Sequence, residues 1–180
     1  MAKWALDTTH SNVEFVVKHM MVTNVRGRFE DFSAEIEFDP ANPAATVVNA
    51  AIKTASVNTG VADRDNHLRS ADFFNSEQYP DMSFRSTRVE VKDEENAVLY
   101  GDLTIAGTTH PVSMNVEFTG TGTNPWGKTV AGFAASTKIN REDFGLTWNV
   151  ALEAGGILVS KEVKINLELQ AVLVEEVQPA

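Results

Sequence analysis

The chain has no cysteine. Disulfides, thiolate metal sites and thiol nucleophiles are therefore excluded. Basic residues are scarce: 15 Lys and Arg stand against 25 Asp and Glu, a formal charge of -10. Nucleic acid, whose phosphates demand Lys and Arg, does not fit that balance. Nor does an electrostatic grip on an anionic membrane. No run approaches the ~18 apolar residues that cross a bilayer, so stable membrane insertion is not expected. The first residues, MAKWALDTTHS, carry one Lys and no apolar stretch, so they do not read as a signal peptide. A cytoplasmic location is expected on that reading, and a periplasmic one if the chain is a mature form. No glycine-rich phosphate loop or dinucleotide fingerprint occurs, so no nucleotide cofactor is expected. A neutral, greasy ligand survives all of these exclusions.

What is present is period two. The 180 residues suit one domain, 1–180. Over 12–19, Val13, Phe15 and Val17 share a face opposite Asn12, Glu14 and Lys18. The same alternation recurs over 32–38, 112–118 and 163–170, and more faintly over 47–57, 82–91, 97–105 and 129–139. One wet and one apolar face is the antiparallel pattern. Within 82–91 the apolar parity changes between Phe84 and Val89, which predicts a bulge. Turn signals separate these runs at 39–43, 92–96, 106–109 and 120–125. About eight strands with such spacing predict an all-β barrel or sandwich. Residues 25–38 read as one long strand, which favours the closed barrel.

One stretch departs from the pattern: GVADRDNHLRSADFF, residues 60–74. It has no alternation and puts acids where a helix start favours them. A short helix near residues 61–75 is predicted, with Asp63–His67 and Asp65–Arg69 as i,i+4 pairs. Residues 141–144 read as a further helical turn. Two catalytic readings are weak. Asp7, His10 and Ser11 suggest a triad, but on an extended strand His10 faces away from the other two. Asp63 and His67 could share a metal at helical spacing, but a zinc site needs at least three protein ligands, so no metal is expected.

The ordered motifs resemble the YceI-like family. They are Trp4-Ala-Leu-Asp7-Thr-Thr-His10-Ser11 with Phe15 and His19, Val25-Arg-Gly27-Arg-Phe29, Arg64-Asp65-Asn-His67-Leu-Arg69-Ser-Ala-Asp72-Phe73-Phe74 with Tyr79-Pro80, Gly101 to Gly107, and Ile139-Asn-Arg141-Glu-Asp143-Phe144-Gly-Leu146. The resemblance covers nearly the whole chain. One departure is the turn at Ala106, Thr108 and Thr109, where relatives often have a basic residue. The resemblance implies a lipocalin-like antiparallel β-barrel that binds a polyisoprenoid in its interior, in a cytoplasmic or periplasmic setting, and a homodimer. It supplies no catalytic residues.

Apolar parity and the resemblance together nominate a ligand lining: Phe15, Val17, Met21, Phe32, Ile36, Phe38, Phe74, Met82, Phe84, Leu103, Met114, Val116, Phe133, Leu146, Trp148, Ile165 and Leu167. A polar cluster at the mouth is expected from Arg64, Asp65, His67, Arg69 and Arg141. The leading expectation is a non-enzymatic carrier, storage or transport protein for a long isoprenoid lipid of the polyprenyl or quinone type. The acidic net charge favours a neutral head group unless an arginine meets it. Two alternatives stand beside it. One is an enzyme acting on such a lipid through Arg64, Asp65 and His67. The other is a filled barrel serving as a stress-response interaction module.

Overall fold

A computed structural model describes residues 2–153 and 155–174. In chain order they form β1 (Lys3–Leu6), β2 (Asn12–His19), β3 (Thr23–Phe29), β4 (Phe32–Glu37), β5 (Val47–Lys53), β6 (Val57–Asn58), α1 (Ala62–Arg69), β7 (Asp81–Val91), β8 (Asn96–Ile105), β9 (Thr108–Thr123), β10 (Thr129–Asn140) and β11 (Glu162–Leu173). All strand pairs are antiparallel, and the order β1-β4-β5-β7-β8-β9-β10-β11 closes through a β1–β11 pairing. The result is a closed eight-stave barrel whose ladder is interrupted where β6 and β7 do not pair. The expected all-β, lipocalin-like architecture is the one observed.

Three neighbouring staves are bent at one level. β1 and β2 both pair with β11, and a 3-10 turn at Thr8–His10 joins them. β4 and β3 form the next stave, and β5 and β6 the one after. The predicted continuous strand over 25–38 is thus broken at Glu30 and Asp31. The break is fixed from across the sheet: Lys53 N–H donates to the Asp31 carbonyl and Glu30 N–H to the Ser56 carbonyl. The predicted bulge in β7 is present, where pairing with β8 shifts between Ser86 and Arg88.

The local chemistry explains the turns. Ala106 and Gly107, with φ of 49° and 80°, form the two-residue connection from β8 to β9. Two left-handed residues match the twist of a hairpin. Gly107 is also bare for a packing reason, because a Cβ there would lie 2.8 Å from the Tyr79 ring. Between β6 and β7 the chain leaves the sheet for residues 59–80, which include α1. β7 pairs with β5 but not with β6. The helical segment therefore occupies the upper end of the barrel where a strand pair is missing.

Apolar clusters sit at both ends. Trp4, Ile36 and Phe38 pack with Phe118, Phe133 and the fully buried Ala131 and Ala171 at the end away from α1. Trp4 Nε1 donates to the Phe38 carbonyl at 2.9 Å. Phe29, Val57, Phe73, Met82, Ile105, Phe144 and Leu146 form the cluster beside α1.

Candidate functional site: an apolar lumen with a cationic end

Between these clusters lies a cavity of about 500 Å³, within the ~300–1,000 Å³ usual for small-molecule sites. It runs from His67 and Arg64 on α1 to Asp93, Glu94 and Glu95 in the β7–β8 turn. At ~3.3 Å per residue and a tilt of ~40°, β7 alone accounts for about 25 Å of barrel axis. Alternation builds the wall. Ile165 and Leu167 on β11, Phe15 and Val17 on β2, and Val112 and Val116 on β9 point inward, yet each is only half-buried because it borders empty space.

Every apolar residue nominated from the sequence borders the cavity except Met21. Met21 is a correction. It sits in the β2–β3 turn with φ of 60° and is largely exposed, its sulfur lying against Gly156. The wall also includes Val25, Phe29, Leu99 and Ile139, which the parity of their strands would have supplied. Gly27 and Gly101, present in the family motifs, have a packing role that the motifs did not indicate: each makes room for a lumen phenylalanine.

The polar cluster divides in two. Arg64, His67 and Arg141 border the lumen, whereas Asp65 and Arg69 do not. The predicted i,i+4 pairs do not form. Asp65 instead accepts from the Thr59 N–H at 2.8 Å and the Thr59 hydroxyl at 2.6 Å. Thr59 in turn takes Arg64 Nε on its hydroxyl and Arg64 Nη2 on its carbonyl. Arg69 donates to the carbonyls of Ala55 and Val57, which fastens α1 to the β5–β6 stave. His67 Nε2 meets Asp72 Oδ2 at 2.9 Å. The imidazole stands edge-on to Trp148 at 4.5 Å and to Phe73 at 5.1 Å. Asp65 and His67 are thus not partners, and the expected Arg64, Asp65 and His67 constellation is not assembled around one reacting point.

Arg141 has the most unusual environment. It opens a 3-10 turn, Arg141–Phe144, as the sequence suggested. Its buried guanidinium donates to the carbonyls of Leu146 at 2.7 Å, Ser160 at 2.9 Å and Val159 at 3.3 Å. Desolvation lowers its pKa from the usual arginine value, and no carboxylate is bonded to it among the described residues. Asp7, His10 and Ser11 lie outside the lumen lining. There the strand assumption fails: the 3-10 turn brings His10 Nδ1 to 2.9 Å from Asp7 Oδ2. Ser11 still does not join them, because its hydroxyl donates to the Asp7 carbonyl.

A closed up-and-down barrel around an apolar lumen, cationic at one end, is a lipocalin-like barrel. The YceI-like domain matches residues 4–171, and the chain belongs to that family. A UPF0312 protein of Staphylococcus epidermidis is 42% identical over 167 residues, covering 92% of this chain and 95% of that protein. Another from Photorhabdus laumondii is 47% identical over 135 residues, 75% of this chain and 70% of that one. A Campylobacter jejuni YCEI protein structure superposes with a TM-score of 0.76 at 38% identity, over 88% of this chain and 90% of that one. A polyisoprenoid binding domain from Saccharophagus degradans gives 0.68 at 17% identity, over 97% of this chain and all of that one, a likeness of fold.

Proposed function

We infer that this protein holds a long isoprenoid lipid in its lumen and acts as a carrier or store without transforming it. The observation that carries this reading is the elongated apolar cavity itself. Burying about 600 Å² of a prenyl chain at ~25 cal/mol per Å² gives about 15 kcal/mol gross. After association costs of several kcal/mol, that supports micromolar binding or tighter. Branched hydrocarbon needs few polar contacts. Phenylalanine and the unbranched side chains of Met82 and Met114 adapt to its irregular shape. The fold is shared with a protein whose name states polyisoprenoid binding.

The polar head of the ligand faces α1. Arg64 and Arg141 reach the lumen there and retain guanidinium donors beyond those their partners use. That favours a head bearing acceptor oxygens, as in a quinone or a phosphate, despite the acidic net charge.

The test is native mass spectrometry after incubation with a polyprenyl lipid, followed by organic extraction. A one-to-one adduct with unchanged lipid mass is expected. A clean apo spectrum at saturating lipid sinks the reading, and a lipid mass altered only when His67 is intact makes the site catalytic. The same spectra report the oligomeric state, for which the family resemblance gives a homodimer as the expectation.

A further inference from the structure

The β2–β3 hairpin runs on past the end of its ladder with β11. β2 and β3 remain paired up to His19↔Thr23. On one flank the β11 ladder ends at Lys164↔Val16, and residues 158–160 continue beside the hairpin through Ser160 N–H to the Lys18 carbonyl, a bridge from His19 to Val159 and Met20 N–H to the Leu158 carbonyl. On the other flank β6 ends at Asn58↔Arg28. At ~3.3 Å per residue, the hairpin rises about 10 Å past the first limit and about 16 Å past the second.

Its tip is Met20, Met21 and Val22, which are 50%, 60% and 78% exposed. Three consecutive exposed apolar residues work against solubility. Both methionines are left-handed, with φ of 52° and 60°, where Asn-Gly is the relaxed choice. The turn thus keeps large apolar side chains against both solvation and backbone preference, and strain kept in this way points to a role. The patch extends sideways. Met20 N–H donates to the Leu158 carbonyl, and Leu158 N–H to the carbonyl of the exposed Val150. It also extends downward, because Val17, His19, Val25 and Leu158 border the lumen. Apolar side chains of the hairpin therefore reach both the cavity and the tip, with His19 between them.

The outer face below the tip is basic. Arg26, Val16, Lys164 and Lys138 stand side by side across four strands. Lys18 follows on the same face of β2. Lys138 and Lys164 are directly opposite each other, a repulsive placement. Glu14 and Glu162 partner Arg26 and Lys138, while Lys18 and Lys164 have no ion pair among the described residues. Acids stand at both ends: Glu37, Asp39, Asp93, Glu94 and Glu95 at the far end, and Asp63, Asp72, Asp81, Glu142 and Asp143 around the end that carries α1. About 25 Å of barrel separates the two ends, and the Debye length is ~8 Å in physiological salt. A surface lying along the outer face of the hairpin meets the four bases Lys18, Arg26, Lys138 and Lys164 together with Glu14 and Glu162, a local balance that is positive where the whole chain is negative.

We propose that this hairpin docks the protein on an anionic lipid bilayer: Met20, Met21 and Val22 enter the interface, and Lys18, Arg26, Lys138 and Lys164 meet the headgroups. The contact is peripheral, and no helix among the described residues is long and apolar enough to cross a membrane. Docking sets the lumen wall against the bilayer, so a prenyl chain moves between the two without crossing water. That purpose rests on the carrier reading, whereas the docking itself does not.

The experiment is flotation with phosphatidylglycerol-containing vesicles and with pure phosphatidylcholine vesicles. The wild type floats with the anionic vesicles, and salt weakens the effect. M20N/M21G fits the turn better, so it melts at the wild-type temperature or above it, and it loses vesicle affinity at least tenfold. K18Q/K164Q loses the preference for anionic vesicles. A wild type that ignores those vesicles overturns the proposal, as does M20N/M21G floating unchanged. Trp126, 80% exposed in the β9–β10 connection, stands at the opposite end, and loss of flotation in W126S alone would put the contact there and also overturn the proposal. Lumen loading is scored separately with prenyl lipid presented in detergent. Normal flotation with no loading sinks the carrier reading alone, and normal loading with no flotation sinks the docking alone.

Discussion

The Phe15 ring lies on Gly27, its partner across β2 and β3, so closely that a Cβ on Gly27 would fall 2.3 Å from Phe15 Cζ. Phe84 lies in the same way over Gly101, at 2.4 Å. Each glycine lets a ring lie along the wall and leaves the lumen open. Valine suits a strand backbone, so Gly27→Val is expected to act through the ring, which must swing inward. The expected cost is about 1–3 kcal/mol of stability together with reduced prenyl-lipid loading. Adding Phe15→Leu should recover both. Thermal melting and adduct stoichiometry measure the two effects, and unchanged loading in Gly27→Val would show that the ring does not shape the lumen.

Arg141 fastens the loop that closes the cationic end. Its three carbonyl partners belong to residues 146, 159 and 160, and only a planar fork meets all of them. Arg141→Met leaves those carbonyls without their charged donor. At ~1.5–3 kcal/mol for a hydrogen bond to a charged group, a loss of about 3 kcal/mol is expected. That corresponds to roughly 6–12 °C in Tm for a chain of this size. Arg141→Lys should recover less than half. Calorimetry decides, and a melting point within about 2 °C of wild type for Arg141→Met would remove Arg141 from this role.

Much of the barrel was legible because β-structure writes itself in parity. Phe15, Phe84, Met114 and Leu167 share the correct face with their neighbours, and the parity change between Phe84 and Val89 marked a real bulge. The polar cluster was less legible. Spacing places Asp63 near His67 and Asp65 near Arg69, but partners are chosen by where the chain turns. It turns at Ser70, whose N–H and hydroxyl both bond the His67 carbonyl, and the turn carries Asp72 back to the imidazole. Thr59 captures Asp65 from outside the helix, a contact that no helical period encodes. Met21 failed for a related reason: hydropathy reports what a residue is, and the hairpin decides where it stands. Gly27 and Gly101 were readable, since a glycine inside a strand marks close approach.

Asp7 gives a pH signature. Its carboxylate accepts from the Thr9 hydroxyl, the Thr9 N–H and His10 Nδ1, which cap the turn joining β1 to β2. The Thr9 hydroxyl first, and His10 next, hold its pKa below the ordinary value. A depressed folded pKa stabilises above the unfolded pKa of ~3.9 and is lost as pH falls through the folded one. Asp7→Ala should therefore cost about 0.5–2 kcal/mol near neutrality, as caps do, and the difference should shrink below about pH 4. Urea titrations at several pH values report it, and a gap that stays constant into strong acid would contradict the assignment.

Thr54 holds the mouth segment to the barrel. It is fully buried, and its hydroxyl donates to the carbonyls of Tyr79 and Pro80, while its N–H also reaches Pro80. Tyr79 and Pro80 end the excursion that carries α1, Phe73 and Phe74. Arg69 adds hydrogen bonds from that segment to Ala55 and Val57, close by on the same stave. Thr54→Val keeps the shape and removes the hydroxyl, leaving the Tyr79 carbonyl without that donor. An unmade buried hydrogen bond costs about 1–3 kcal/mol. The location of the effect is more informative than its size. The strand ladders do not depend on Thr54, so hydrogen exchange should accelerate over residues 62–79 well before β8 to β11 respond. A uniform acceleration would mean that the segment opens only with the whole barrel, and entry to the lumen would then require another route.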